Sequence, residues 1–316
     1  MEIGFMNNNI TFEIVLTHYI KDRIPAKDTL KHLRFVIELY KKDNNVTYFS
    51  DTTKEIINTW KVTLIERASR QTCNNYLRHL KLLYSFAYDE EIISENPFLK
   101  IKMVKVFQTK YKSITIEDVN HIIRHLKNND NTLLPGWFWI MLIKTLFYTG
   151  MRRKQLVELQ WKDINFSTMQ ITLRAHSSKN KRMWRIPLHS EIHDDLEFLR
   201  ERFYSIYAPT NISEIDDMQI FNVTLFNHKY QGNRLKRSQL SGFFRNLSEK
   251  TDIKCSSHRF RHRIATDLVK GHKSIKDIVE VQEFLGHTDF KTTLLYVEND
   301  VDKIRDSLEK LTPVIT

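Results

Sequence analysis

With 316 residues, 41% of them hydrophobic and 28% charged, the chain has material for roughly two domains of about 100–200 residues, each with its own core. Its thiols are Cys73 and Cys255, far apart in sequence, which excludes a disulfide scaffold and a cysteine-based zinc site and fits a reducing compartment such as the cytoplasm. A formal net charge of +11 points towards a polyanionic partner, of which nucleic acid is the commonest.

The opening stretch "MEIGFMNNNITFE" has no apolar core of signal-peptide length, and no further domain is expected before residue 10. Asn45 and Asn222 begin Asn-Val-Thr triplets, but no other mark of secretion accompanies them. Glycine and proline number seven and six, and apolar residues recur at helical spacing, so a mainly α fold is expected. In "PAKDTLKHLRFVIELYKKD", Pro25 suits a first helical turn, and Leu33, Val36, Ile37 and Tyr40 share one face. In "SRQTCNNYLRHLKLLYSFAYDEEII", Tyr76, Leu77, Leu80, Leu83, Tyr84 and Ala87 fall together. Arg70, Arg78 and Lys81 face elsewhere, as a solvated surface or as phosphate contacts.

Asn96-Pro97 closes this helical region, and the lysine-rich "IKMVKVFQTKYKS" follows as a connector. A division near residue 105 is therefore expected, giving domains 1–105 and 106–316. Thr115 and Asp118 have capping-box spacing and restart a helix. The run "LLPGWFWIMLIKTLFYTGM" is broken by Pro135 and Lys144, falls short of the ~20 apolar residues of a membrane span, and reads as a buried helix, so no membrane contact is expected. A tight turn at Gly150 leads to a helix starting near Arg152. "MQITLRA" alternates with the period of a half-buried strand, and "MWRIPL" is its expected hairpin partner, forming a small β-sheet. The basic turn "HSSKNKR" between them carries Lys179, Lys181 and Arg182. The remainder reads as helical to the C-terminus, except for a polar region near "EIDDMQIFN".

Several residues stand where a core has little use for them: Arg152 after Thr149-Gly150, Lys179 in the hairpin, His258 and Arg261 in "SSHRFRHRIATDL", and His287 and Tyr296 in "FLGHTDFKTTLLY". Each also has a plain structural explanation. Gly286 would be a helix C-cap, His287 a turn residue, Tyr296 a core aromatic, Lys179 a solvated turn residue and Arg152 a helix-end residue. In their order, however, "TGMRRKQLVELQWKDI" resembles the first box of the tyrosine recombinase, or phage integrase, family, and "HRFRH" the His-x-x-Arg element of its second box. "FLGHTDFKTTLLY" resembles the segment that brings in the second His and the nucleophilic Tyr, and "KNKRMWRIPL" the hairpin that holds its Lys. The resemblance covers residues 115–300 and extends loosely over the N-terminal part.

This resemblance implies a two-domain, C-shaped DNA clamp: a helical, SAM-like core-binding domain and a mainly α catalytic domain. It implies a site-specific recombinase acting on double-stranded DNA with inverted-repeat-like target sites, as a homotetramer, with accessory DNA-bending proteins as further partners. The expected location is the cytoplasm, in association with the nucleoid. Strand exchange would pass through a 3′-phosphotyrosyl link, with Tyr296 as nucleophile, Arg152 and Arg261 on the scissile phosphate, and His258 and His287 as further donors. His258 is the candidate to take the tyrosine's proton, and Lys179, with Lys181 competing, to protonate the leaving oxygen. The residue types fit independently, since guanidinium stays charged and donates paired hydrogen bonds, whereas a phenol with a pKa near ~10 needs help to lose its proton. No ATP, metal or other cofactor is expected.

Two departures from the family pattern stand out. Gln155 occupies a position that is commonly acidic, and "KGHKSIKDIVEVQEFLGH" is a few residues longer than usual. His262, beside Arg261, is read as structural. A metalloenzyme is weighed because His258 and His262 are spaced i, i+4, but Arg259 stands where a zinc protease would have its Glu. Two rivals share the DNA partner: a non-catalytic DNA-binding protein on the same fold, and a type IB topoisomerase that relaxes DNA without choosing a site. Integration or excision of a mobile element and resolution of DNA multimers use the same residues and both remain open. The tail "VDKIRDSLEKLTPVIT" is a candidate for docking on a neighbouring protomer, or for packing on its own domain.

Overall fold

The computed structural model describes residues 10–106, 113–128, 133–177, 182–208, 212–271 and 274–296. The chain divides into two compact units, Met1–Thr109 and Lys110–Thr316.

The described part of the first unit contains helices α1 (Phe12–Arg23), α2 (Lys27–Asn44), α3 (Lys54–Arg67) and α4 (Arg70–Asp89). Hydroxyl side chains start three of them: Thr11, Thr53 and Ser69 accept backbone N–H groups of Ile14, Ile56 and Thr72, which would otherwise lack a partner in the first turn. Helix α4 packs against α1, α2 and α3, and the face read from its sequence is the one it buries, with Leu77, Leu80, Leu83, Tyr84 and Ala87 all inaccessible. Tyr84 stacks on Phe49 with ring centroids 3.8 Å apart. Its hydroxyl donates to Thr52 Oγ1 at 2.7 Å, and Tyr40 donates to the same oxygen at 3.2 Å. Burial raises the pKa of both phenols, that of Tyr40 to about 12, so they remain neutral hydrogen-bonding groups.

The second unit contains α5 (Ile116–Lys127), α6 (Gly136–Thr149), α7 (Arg153–Glu158), strands β1 (Ile164–Asn165), β2 (Gln170–Leu173) and β3 (Trp184–Pro187), then α8 (Ser190–Tyr207), α9 (Arg237–Thr251), α10 (Ser257–Gly271), α11 (Ile275–Leu285) and α12 (Phe290–Leu294). The capping box at α5 forms: Asp118 N donates to Thr115 Oγ1 at 3.0 Å, and Thr115 N to Asp118 Oδ2 at 3.2 Å. Helix α6 is the apolar run of the sequence and forms the centre of this unit, packed against α5, α8 and α10. Trp139 stacks on Phe243 of α9 at 3.8 Å, and Lys144, the charge within the run, pairs with Asp195 of α8 at 2.6 Å. Among the described residues no helix is long and apolar enough to cross a membrane.

The expected hairpin is present as β2 and β3, antiparallel with Ile171 opposite Ile186 and Leu173 opposite Trp184. The two-residue β1 adds an antiparallel third strand at the edge of β2. The structure departs from the sequence reading between the polar region near "EIDDMQIFN" and α9, where helix is expected. Residues 216–236 contain no α-helix; one 3-10 turn, Val223–Leu225, interrupts an irregular segment. Amide side chains replace the helical hydrogen bonds there. Gln219 donates to the carbonyls of Val157 and Leu235 and accepts Leu235 N at 2.8 Å, while Asn222 donates to Asn233 O at 3.0 Å.

Tyr84→Phe removes the donor to Thr52 from the first unit's core while leaving the ring stack. Urea unfolding is expected to show a loss of about 1–2 kcal/mol.

Candidate active site

The site is assembled from the turn after α6, the start of α10 and the end of α11. Gly150 closes α6 with φ +58, and its neighbours leave no room for a side chain, because a Cβ there would stand 2.6 Å from Ile264 of α10. Arg152 follows at the N-cap of α7, where its backbone N–H donates to Gln155 Oε1 at 2.7 Å. Gln155 is buried and thus braces the backbone of Arg152, in the position where the family commonly has an acid.

Helix α11 ends at Gly286 with φ +63. His287 N–H reaches back to Gln282 O at 3.0 Å, and the Gln282 side chain donates to His287 O at 3.0 Å, so one residue fixes the His287 backbone on both sides. The carbonyls of this helix end receive three long-range donors. Trp184 Nε1 reaches Phe284 O at 3.2 Å, Arg261 Nη2 reaches Leu285 O at 2.6 Å, and Arg152 Nη2 reaches Gly286 O at 3.2 Å. Arg261 Nη1 also donates to Gly150 O at 2.7 Å. Gly286 is a helix C-cap, the plain structural role open to it, and it does more: a Cβ there would lie 2.4 Å from the Trp184 ring.

Arg261 is 5% exposed, and among the described residues neither it nor Arg152 is paired with a carboxylate. Burial, and then the neighbouring Arg152, lower the Arg261 pKa to about 9, against an opposing pull from Tyr296. Burial lowers that of Arg152, again opposed by Tyr296. Arg152 Nη1 is buried without a hydrogen-bond partner among the described residues. A pair of like charges taken out of water, held by neutral carbonyls and retaining an unused donor, is an arrangement suited to an anion.

Tyr296 lies against these groups. It is 6% exposed, and its ring packs with Ala265, Val269, Val281 and Leu285 of α10 and α11. Its hydroxyl is 2.7 Å from His262 Nδ1, and its ring is nearly parallel to that of His287 at 6.1 Å. His287 Nδ1 is 3.0 Å from Oγ1 of the fully buried Thr293. His258, at the start of α10, is a surface residue whose ring is partly covered; that cover, then Arg261, Arg153 and Arg152, push its pKa down. Burial followed by nearby positive charge lowers His262 to about 4 and His287 to about 3, so both rings are neutral at pH 7.

The structure thus brings together Arg152, Arg261, His258, His287 and Tyr296. It adds His262, read from the sequence as structural, whose Nδ1 is the histidine atom found at the Tyr296 hydroxyl. The i, i+4 spacing to His258 is the available sequence signal, since it puts both rings on one face of α10. His258 and His262 belong to no convergent set of three His, Cys, Asp or Glu side chains among the described residues; the set found there is His193, Asp194 and Glu197 on α8. Lys179 and Lys181 lie outside the described residues, as does the tail from 297. Arg182 is exposed beside β3. In the first unit Arg70 and Arg78 are exposed and Lys81 is half-buried; Arg70 donates to Lys105 O at 3.1 Å and Arg78 to Asn75 Oδ1 at 3.1 Å.

Residues 112–303 match the phage integrase family. The chain is 24% identical to a candidate tyrosine recombinase XerC of Pseudomonas aeruginosa, over 94% of this chain and 69% of that protein. It is 25% identical to a counterpart in Pseudomonas syringae, over 95% of this chain and 63% of that protein, so it spans about two thirds of the length of these relatives. Identity to the tyrosine recombinase XerD of Staphylococcus haemolyticus is 23%, over 87% of this chain and 88% of that one. The fold is that of the Tn1549 transposon integrase, solved with a circular intermediate DNA (TM-score 0.74, 17% identity, 96% of this chain and 100% of that one). It is likewise that of lambda integrase, solved as a tetramer on a Holliday junction (TM-score 0.69, 16% identity, 92% and 78%).

A pH dependence of stability follows from the two depressed histidines. In the unfolded chain each takes a proton near the usual 6.5, whereas in the fold His262 and His287 resist until about 4 and 3. The unfolded state therefore binds more protons between these values, and the stability present above about pH 6.5 is lost as pH falls through that window. Thermal unfolding without DNA is expected to show Tm falling from pH 7 to pH 4, with a shallower fall in the His262→Gln/His287→Gln double variant.

Proposed function

The chain belongs to the phage integrase family, and from that premise we propose that it is a site-specific DNA recombinase that cuts and rejoins strands through a 3′-phosphotyrosyl intermediate on Tyr296. The observation that carries this reading is a buried and a half-buried guanidinium, neither paired with a carboxylate among the described residues, beside a buried tyrosine. Each guanidinium has five N–H donors and gives only some of them to carbonyls. The remaining donors hold the non-bridging oxygens of the scissile phosphate, on which negative charge grows as the phenolic oxygen adds to phosphorus. His258 and His287 supply further hydrogen bonds to that phosphate.

As the Tyr296 Oη–P bond forms, the P–O5′ bond breaks. The 5′-oxygen leaves with a proton, for which Lys179 is the proposed donor and Lys181 the competitor. The phosphotyrosyl link conserves the bond, so attack by a 5′-hydroxyl from a second duplex restores DNA and releases the tyrosine without nucleotide or metal. The second unit is proposed as the catalytic domain. The first is proposed as the core-binding domain, with the exposed Arg70 and Arg78 among its phosphate contacts. Four protomers on two synapsed duplexes, each exchanging one pair of strands at a time, complete the proposal, which serves integration and excision of a mobile element or resolution of DNA multimers.

The test is a nicked suicide substrate built on short inverted repeats sought in the DNA that flanks the coding region. A protein–DNA adduct that survives denaturant is expected, to be absent in Tyr296→Phe and to form about 10²–10³-fold more slowly in Arg152→Ala. Relaxation of any supercoiled plasmid regardless of sequence would instead identify a topoisomerase. Binding to the repeats without any adduct would identify an inert DNA-binding protein.

A further inference from the structure

Two histidines, His262 and His287, lie against Tyr296, a third, His258, stands one helical turn from His262, and the three are not equivalent. His287 has its Nδ1 at Thr293 Oγ1, 3.0 Å away, and offers Tyr296 a parallel ring face. His258 stands one helical turn before His262, at the surface end of α10. His262 Nδ1 is the atom at the phenolic oxygen, 2.7 Å away, with the two rings tilted at 41°. We propose that His262 holds the nucleophile: its Nδ1 accepts the Tyr296 hydroxyl before DNA arrives and receives the phenolic proton once a phosphate lies between Arg152 and Arg261. The proposal rests on the reading of Tyr296 as nucleophile and assigns the proton to a different histidine from the one the family resemblance suggests.

The packing supports a directed contact. Tyr296 is buried in one apolar cluster with Ala265, Val269, Val281 and Leu285, so its hydroxyl is held at a fixed place beside α10. A buried phenol needs a polar partner at its tip. Helix α10 supplies one, because residue 262 lies on the same turn as Ala265 and one turn from both His258 and Thr266, facing the site rather than solvent. Arg261 precedes it directly, so the same helical turn that sets a guanidinium against Gly150 and Leu285 also sets the imidazole against the phenol.

The charges around His262 give the contact a dependence on substrate. On its own helix it faces His258, Arg261 and Arg259, and from the α11–α12 side Tyr296 and His287. Burial, followed by His258, Arg261 and Arg259, keeps the imidazole neutral at pH 7. A neutral ring with its hydrogen on Nε2 accepts the phenolic O–H at Nδ1, but among uncompensated cations it is a poor base. A phosphodiester anion entering the guanidinium pocket offsets that positive charge and raises the affinity of His262 for a proton. The proton then passes from Oη to Nδ1 as Oη–P forms and P–O5′ breaks, and it returns to the phenol when the link is reversed. Basicity is thereby confined to the DNA-bound state, which protects the tyrosine from ionising without a target.

The experiment measures adduct formation on the nicked substrate for the wild-type protein, His262→Leu and His262→Gln, each with Tyr296 natural or replaced by a difluorotyrosine of lower pKa. His262→Leu is expected to retain affinity for the site and to form adduct about 10²-fold more slowly, within the usual range for loss of an acid–base group. His262→Gln, which keeps an acceptor but takes no proton, is expected to fall between the two. Fluorotyrosine is expected to recover most of the loss in His262→Leu, because an easily ionised phenol needs no base. Wild-type rates in His262→Leu, or the same fold-loss with either tyrosine, would overturn the assignment. Failure of the nucleophile reading is separate and visible in the wild-type lane: either no adduct, or one that persists in Tyr296→Phe.

Discussion

The grip of the α11 carbonyls on Arg152 and Arg261 is the interaction on which the candidate site depends. The last turn of a helix leaves carbonyl oxygens without intrahelical partners and carries a partial negative charge. At Phe284, Leu285 and Gly286 those oxygens accept from Trp184, Arg261 and Arg152. Withdrawing a guanidinium from water costs several kcal/mol, and charge-assisted hydrogen bonds of about 1.5–3 kcal/mol each offset part of that. The chemical nature of the partner matters as much as the energy. A carboxylate would have neutralised each arginine and competed with an incoming phosphate. Neutral carbonyls position the guanidiniums and leave their charge available.

The same helix end connects the remaining parts. Gly286 lets the chain turn with φ +63 while the Trp184 ring lies against its backbone, which ties strand β3 to α11. Gln282 then fixes His287, and the short α12 brings Thr293 beneath the imidazole and Tyr296 onto α10. A change anywhere in this chain of contacts displaces a guanidinium, an imidazole or the phenol, so the arrangement has little tolerance at Gly150, Gln282 and Gly286 although these act through backbone and packing contacts.

Much of this is legible in the sequence, for identifiable reasons. The faces of α2 and α4, the capping box of Thr115 and Asp118, the turn at Gly150 and the β2–β3 hairpin follow from periodicity and local backbone chemistry, which act over a few residues. Arg152, His258, Arg261, His287 and Tyr296 are singled out by their order, which resembles the boxes of the phage integrase family; taken one at a time they are weak signals, and Tyr296 does pack in a core. The irregular segment before α9 shows in the sequence only as the polar stretch near "EIDDMQIFN"; its continuation to residue 236 escapes, because its order comes from Gln219 and Asn222 bonding to distant backbone, which has no local pattern. The carbonyl grip is invisible for a related reason: every residue has a carbonyl, so backbone acceptors leave no mark in the sequence. His262 reads as structural because its partner is 34 residues away along the chain.

The central claim is that two guanidiniums, set side by side by the end of α11, take one phosphate between them. A structure of the Tyr296→Phe protein bound to its uncleaved site tests it most directly. The account predicts Arg152 and Arg261 both within hydrogen-bonding distance of the non-bridging oxygens of a single phosphate, with Arg261 still donating to the Leu285 carbonyl and the substituted phenyl ring beside that phosphorus. Two arginines on different phosphates, or a scissile phosphate lying away from the end of α11, would contradict it.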